Sequence, residues 1–147
     1  MANFLLGTNV LLRMSDGNAS THLLAGNAVA TLLARKDKVY ITAQNFIEFW
    51  AVATRPLDAN GLGWTTQRTT TEIEQFLNRF PLLEDSPDIL SRWLTLVTTY
   101  DIKGKKVHDT RLVAVMQAHG VTHLLTFNTD DFTGYPDISP IHPNKVT

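Results

Sequence analysis

Val107-His-Asp-Thr-Arg-Leu-Val-Ala-Val-Met-Gln-Ala-His-Gly-Val-Thr-His-Leu-Leu-Thr-Phe-Asn-Thr-Asp-Asp-Phe132 reads as three pieces in a fixed order. Asp109 stands where a helix N-cap would stand, an apolar helix runs on to His119, and Gly120 supplies the stop. Thr122 to Phe127 then reads as a short, largely apolar strand of the kind a parallel sheet covers on both faces. Asn128-Thr-Asp-Asp131 is a polar turn that ends it. One acid therefore precedes a buried helix and two follow a buried strand. That puts them at the rim of an α/β sheet, where open parallel sheets keep their binding sites.

The flanking sequence fits the same class. Phe4 to Leu6 is an opening strand closed by the polar turn Gly7-Thr8-Asn9. Val10 to Arg13 continues as an apolar segment and Ser15 to Asn18 breaks it. Ser20 or Thr21 can cap a helix reaching Ala34, with Leu24, Ala28 and Leu32 or Val29 near one face. Val39 to Thr42 is a second strand, rich in β-branched and aromatic residues. The helix from Gln44 to Thr54 is apolar on all sides and carries one charge, Glu48. Such a helix is expected to be buried, and a lone carboxylate on it must be paired, protonated or bound. Arg55-Pro56 ends it, and Leu57 to Trp64 is a loop. Thr65 or Thr66 caps a helix with Ile73, Phe76, Leu77 and Phe80 at helical spacing. Pro81 to Glu84 is at most a very short strand. Ser86 at N-cap and Pro87 at N1 open a helix whose buried face is Ile89, Trp93, Leu96 or Val97, and Tyr100. Tyr135 to Pro143, with three prolines, can supply only an edge strand. The reading is one α/β domain over residues 1–147.

Composition narrows the function. The chain has 147 residues, 44% of them hydrophobic, which is enough for one real core. A formal charge of -1 excludes a generally basic polyanion binder, so any nucleic-acid contact must come from a local patch. There are no cysteines, which excludes disulfides, thiol nucleophiles and cysteine-zinc sites. No signal peptide and no membrane-spanning run are visible, so a cytoplasmic protein is expected. Taken singly, Asp109 has a good plain reading as an N-cap, and Asp130 and Asp131 as turn formers. Glu48 has one as the partner of an arginine such as Arg55. Together, carboxylates without a histidine cluster suit a hard cation such as Mg²⁺ or Mn²⁺. Such cations activate water and stabilise charge on a phosphate. The basic loop Lys103, Lys105 and Lys106, with His108 and Arg111, can hold a polyanion beside them or be a plain solvated loop.

These residues resemble the PIN-domain family and, within it, the VapC-type toxins of bacterial toxin-antitoxin systems. The matching stretches are Phe4 to Arg13, Ile41 to Trp50, Gly104 to Ala114 and Leu124 to Phe132, in the family's order and across nearly the whole chain. The resemblance implies a three-layer α/β/α fold with a central parallel sheet of four to five strands. It also implies a Mg²⁺- or Mn²⁺-dependent endoribonuclease, often a homodimer, silenced by a cognate antitoxin. By position it makes Glu48, Asp109 and Asp131 the metal-holding, catalytic acids. Thr8, Asn9, Thr126 and Asn128 become supporting polar groups, while Lys105, Lys106 and Arg111 steer RNA phosphate.

One position departs from the pattern. The family's first motif has Asp where this chain has Gly7, and that Asp is a principal metal ligand. Glycine offers no side-chain oxygen, so the resemblance implies a ribonuclease scaffold with weak or absent activity. The rival from another class is a non-catalytic PIN-fold module that binds RNA or an antitoxin. A receiver-type signalling domain ranks lower, because Gly7-Thr8-Asn9 lacks the acidic pair such domains place after the first strand.

Overall fold

The computed structural model describes residues 1–147. Its strands are β1 (Asn3–Leu6), β2 (Lys38–Thr42), β3 (Leu82–Leu83), β4 (His123–Leu125) and β5 (Ser139–Ile141). Its helices are α1 (Thr8–Ser15), α2 (His22–Ala34), α3 (Ala43–Thr54), α4 (Thr66–Arg79), α5 (Ile89–Thr99) and α6 (Lys106–His119). The strands form one sheet in the order β3-β2-β1-β4-β5, and every pair is parallel.

The two-residue period of a strand explains the layering. Phe4 and Leu6 of β1 enter one core with α1, α2, α3 and α4, whereas Leu5 between them enters the other with α5 and α6. β4 divides in the same way: Leu125 joins the first core and Leu124 the second. A sheet covered on both faces needs near-continuous apolar strands, and β1 and β4 supply them. This is the three-layer α/β/α arrangement with a parallel sheet that the resemblance implied.

Several elements differ from the reading of the sequence, each for a local reason. Gly7 is not part of a turn; it is the N-cap of α1, and Thr8 and Asn9 are already helical. The apolar segment Val10 to Arg13 is therefore the body of α1, too short to show a helical period. α6 begins at Lys106, so Asp109 lies inside its first turn and is not the cap. α5 begins at Ile89, after Asp88, and the Ser86 hydroxyl donates to the Asp88 carboxylate instead of capping the helix directly. Tyr100 is exposed, so the buried face of α5 stops at Leu96 and Val97. α3 is not buried all round: Ile47 is 72% exposed and Ala51 is also open. β4 is shorter than the expected Thr122 to Phe127, and β5 is the expected proline-bearing edge strand.

Candidate functional site

The C-terminal ends of β1, β2 and β4 lie side by side in the middle of the sheet, and each hands over to a different structure. β1 runs through Gly7 into α1, β2 runs directly into α3, and β4 runs through Thr126 to Asn128 into a 3-10 turn at Thr129–Phe132. A cleft of about 400 Å³ opens over these ends, walled also by the start of α6. Glu48, Asp109 and Asp131 all line it, together with Gly7, Thr8, Asn9, Thr126 and Asn128. Asp130 does not. The structure thus lines one cleft with Glu48, Asp109, Asp131 and the supporting polar residues Thr8, Asn9, Thr126 and Asn128, from segments as far apart as Gly7 and Asp131.

Glu48 is oriented by two donors. The Thr8 hydroxyl donates to its Oε1 at 2.7 Å, and the Gln44 amide donates to Oε2 at 3.4 Å. Thr8 is itself fixed, since the buried Asn45 side chain donates to its Oγ1 at 3.1 Å. Asn45 also closes a capping box at the start of α3: Thr42 N–H donates to Asn45 Oδ1 at 2.8 Å, and Asn45 N–H donates to Thr42 Oγ1 at 3.1 Å. One side chain, Asn45, therefore both closes the cap that starts α3 and holds the Thr8 hydroxyl that donates to Glu48. Glu48 makes no ion pair with Arg55, so the plain structural reading of that carboxylate does not hold.

On the opposite wall, Asn9 Nδ2 donates to Thr126 Oγ1 at 3.3 Å, and Asn128 N–H donates to the same oxygen at 3.1 Å. Gly7 sits between these walls. Its φ of -69° and ψ of 154° suit any residue, so no backbone demand calls for glycine. A Cβ there would stand 3.0 Å from Leu125 O, 3.3 Å from Asn9 Oδ1 and 3.4 Å from Thr126 Cβ. A side chain at this position enters the cleft if those neighbours yield by a few tenths of an ångström.

The acids repel one another. The carboxyl of Asp109 is pushed up to about 6, first by burial and then by the carboxylates of Asp131 and Glu48, with Lys106 and His108 partly offsetting them. Because the folded value lies above the ordinary value of 3.8, the folded state binds the proton more tightly than the unfolded state. Stability is fully present below the unfolded value and falls as pH rises from there through about 6. Asp109→Asn removes that loss. Urea unfolding is expected to show the variant more stable than the native chain at pH 8, with the gain fading towards pH 4. A pH-independent gain would mean that the carboxyl is not crowded in this way.

The cations expected to steer phosphate lie outside the cleft. Lys105 and Lys106 are exposed at the start of α6. Arg111 is held in a neighbouring groove, where Nη1 donates to Gln44 Oε1 at 3.1 Å and Nη2 lies 3.2 Å from Asp85. The cation that does line the cleft is Arg55. Sequence reasoning assigned it only as a partner for Glu48; its place directly after α3 and before Pro56 was the available signal.

The donor set of the cleft is all oxygen, and its crowded carboxylates suit a hard cation in kind. No three Asp, Glu or His side chains of the chain stand together as a closed metal cluster. Gly7, between the walls of the cleft, contributes no side-chain oxygen to it. No helix is long and apolar enough to cross a membrane.

Comparison with known proteins follows the same lines. The family described as PIN domain matches residues 4–137. A toxin-antitoxin complex from Klebsiella pneumoniae is similar in structure, with a TM-score of 0.66, 24% identity, and coverage of 97% of this chain and 98% of that one. VapBC-1 from nontypeable Haemophilus influenzae aligns with a TM-score of 0.71 at 14% identity, covering 97% and 99%. VapC20 from Mycobacterium tuberculosis, described as a sarcin-ricin loop cleaving toxin, aligns with a TM-score of 0.66 at 15% identity, covering 92% and 98%. At these identities the likeness is one of fold. No curated protein matches the chain.

Proposed function

The chain belongs to the PIN-domain family, and on that premise we propose that it is a VapC-like, divalent-metal-dependent endoribonuclease scaffold, weak or inactive with glycine at position 7. The observation that supports this reading best is the convergence of Glu48, Asp109 and Asp131 on one cleft at the carboxyl ends of a parallel sheet. Glu48, Asp109 and Asp131 would hold Mg²⁺ or Mn²⁺, which supplies a polarised water and neutralises phosphate charge. Around it, Thr8 and Gln44 hold the Glu48 carboxylate in one orientation, so its oxygens need no reorganisation on binding. Thr126, tied to Asn9 and Asn128, keeps the β1 and β4 ends at a fixed separation. With its carboxyl pushed up to about 6, Asp109 takes up a proton as pH falls through that value and would have to release it for a cation to bind. Metal affinity measured by calorimetry should therefore drop as pH is lowered from 7 to 5.5. Lys105, Lys106 and Arg111 lie outside the cleft, where they can draw the RNA towards it. Cleavage of structured RNA that depends on Mn²⁺ or Mg²⁺ and on position 7 is the decisive test, described in the Discussion.

The partners proposed are an RNA substrate, a cognate antitoxin and a second copy of the chain. For the second copy there is a specific surface. Ile47 on α3 and Leu90 on α5 are 72% and 70% exposed. They line adjoining grooves that share Asp85, His108 and Arg111. Large apolar side chains clustered on a surface mark an interface. The double substitution Ile47→Asp with Leu90→Asp is expected to convert a dimer into a folded monomer in light scattering. A native chain that stays monomeric at high concentration would remove this interface from the reading.

A further inference from the structure

Arg55 is placed with more care than a solvated arginine requires. α3 ends at Thr54, and Arg55 follows in extended conformation, φ -63° and ψ 146°, as a residue before proline favours. The chain then doubles back over the end of the helix. Gly63 N–H donates to Arg55 O at 2.8 Å, Leu62 N–H to Val52 O at 3.1 Å, and Trp64 N–H to Ala53 O at 2.8 Å. These bonds take up carbonyls that a helix C-terminus leaves unpaired. Gly61 presses against the same residue. A Cβ on it would lie 2.0 Å from Arg55 O and 2.4 Å from Arg55 Cβ, so only glycine fits. Trp64 anchors the returning strand of the loop by an edge contact with the fully buried Phe49, ring centres 6.0 Å apart. The Arg55 backbone is held by the Gly61–Gly63 loop, and the residue lines the acid cleft.

Its charge has no partner there. The ion pairs of the chain use Arg35, Arg92, Lys103 and Arg111, and Arg55 is in none of them. Both oxygens of Glu48 already accept from Thr8 and Gln44. Among the residues lining the cleft, Arg55 is the only cation beside three carboxylates. A phosphodiester seated over those acids meets repulsion from them and needs a fixed positive group beside the metal site. Guanidinium offers a planar fork of N–H donors that matches two oxygens of one phosphate.

We infer that Arg55, clamped by the Gly61–Gly63 loop, grips the non-bridging oxygens of the RNA phosphate seated in the acid cleft. The inference rests on the ribonuclease reading but is tested by binding alone. A fluorescently labelled single-stranded RNA oligonucleotide is titrated with the full chain in EDTA across a range of salt concentrations. Each phosphate neutralised on a single strand contributes about 0.7 to the slope of log affinity against log salt. Arg55→Gln is expected to lower the slope by about that amount and to weaken binding at low salt, with the native melting temperature kept. Arg55→Lys is expected to keep the slope. Lys38→Gln, at the far end of β2, is expected to leave it unchanged. In the native chain, the Arg55 Nε–H resonance is expected to shift when the RNA is added. An Arg55→Gln slope equal to the native one, or an Nε–H signal that ignores RNA, overturns the assignment. A native chain that takes up no RNA at low salt overturns it as well. Cleavage by the Gly7→Asp chain decides the nuclease reading separately, so either idea can fail without the other.

Discussion

Gly7→Asp is expected to produce an EDTA-sensitive ribonuclease from a chain that cleaves weakly or not at all. The gain in rate should be at least about 10²–10³, the size expected when one stabiliser of transition-state charge is restored. The backbone at residue 7 already has a conformation that aspartate adopts, and the space its Cβ needs is bounded by Leu125 O, Asn9 Oδ1 and Thr126 Cβ at 3.0, 3.3 and 3.4 Å. Asn9 is a side chain and can yield; Leu125 O accepts the Gly7 N–H at 2.8 Å and must move with β4. Both chains would be incubated with structured RNA and Mn²⁺ or Mg²⁺, with and without EDTA, and the products resolved on a gel. Cleavage by the variant alone, abolished by EDTA, fits a centre disabled at one ligand. If neither chain cuts, the non-catalytic binding reading takes its place. Equal cutting by both means that another group fills the role of residue 7. A second readout needs no substrate. A fourth carboxylate beside Glu48, Asp109 and Asp131 adds repulsion, so the metal-free variant should melt below the native chain and recover on adding Mn²⁺.

Asn45→Ala should give the largest loss of stability among single changes near the site. The substitution removes the capping box of α3, leaves the buried Thr42 N–H without its acceptor, and frees the Thr8 hydroxyl. Loss of a cap costs about 1 kcal/mol, and an unsatisfied buried donor costs about 1–3 kcal/mol. A total of roughly 2–4 kcal/mol follows from those two sources, readable as a lower urea midpoint. Metal affinity should fall in the same variant, because Thr8 then no longer holds Glu48 Oε1. Thr8→Val separates the two effects: it should lose the metal affinity and keep most of the stability. If Asn45→Ala lowers the midpoint while metal binding stays native, Asn45 serves the helix alone.

The fold was legible because its strands are short apolar runs that end at polar residues, and because the motifs fall where β1, β2 and β4 end. The residues that converge on the cleft were legible for the same reason: Glu48 is the one charge on an otherwise apolar helix, and Asp109 and Asp131 bracket α6 and β4. Helix starts were less legible. Lys106, Val107 and His108 carry no capping side chain, so the sequence points to the first carboxylate, Asp109, as the cap. α1 spans only eight residues and looked like an apolar continuation of β1. The exposure of Ile47 could not be read from α3, since an interface residue and a core residue are equally apolar. Arg55 was missed as a lining residue because its position depends on how residues 56–64 fold back, and that is set by contacts distant in sequence.

The strand order also bears on how the protein is made. β1 precedes the other four strands in sequence, yet it lies at the centre of the sheet, with β2 on one side and β4 on the other. Gly7 N–H donates to Leu125 O, a partner more than a hundred residues downstream. Non-local pairings of this kind form late and only when most of the chain is present. Glu48 and Asp109 therefore meet no third acid until the segment carrying Asp131 has been synthesised and has paired. A nascent or prematurely terminated chain that lacks the segment carrying Asp131 therefore carries no assembled acid cleft.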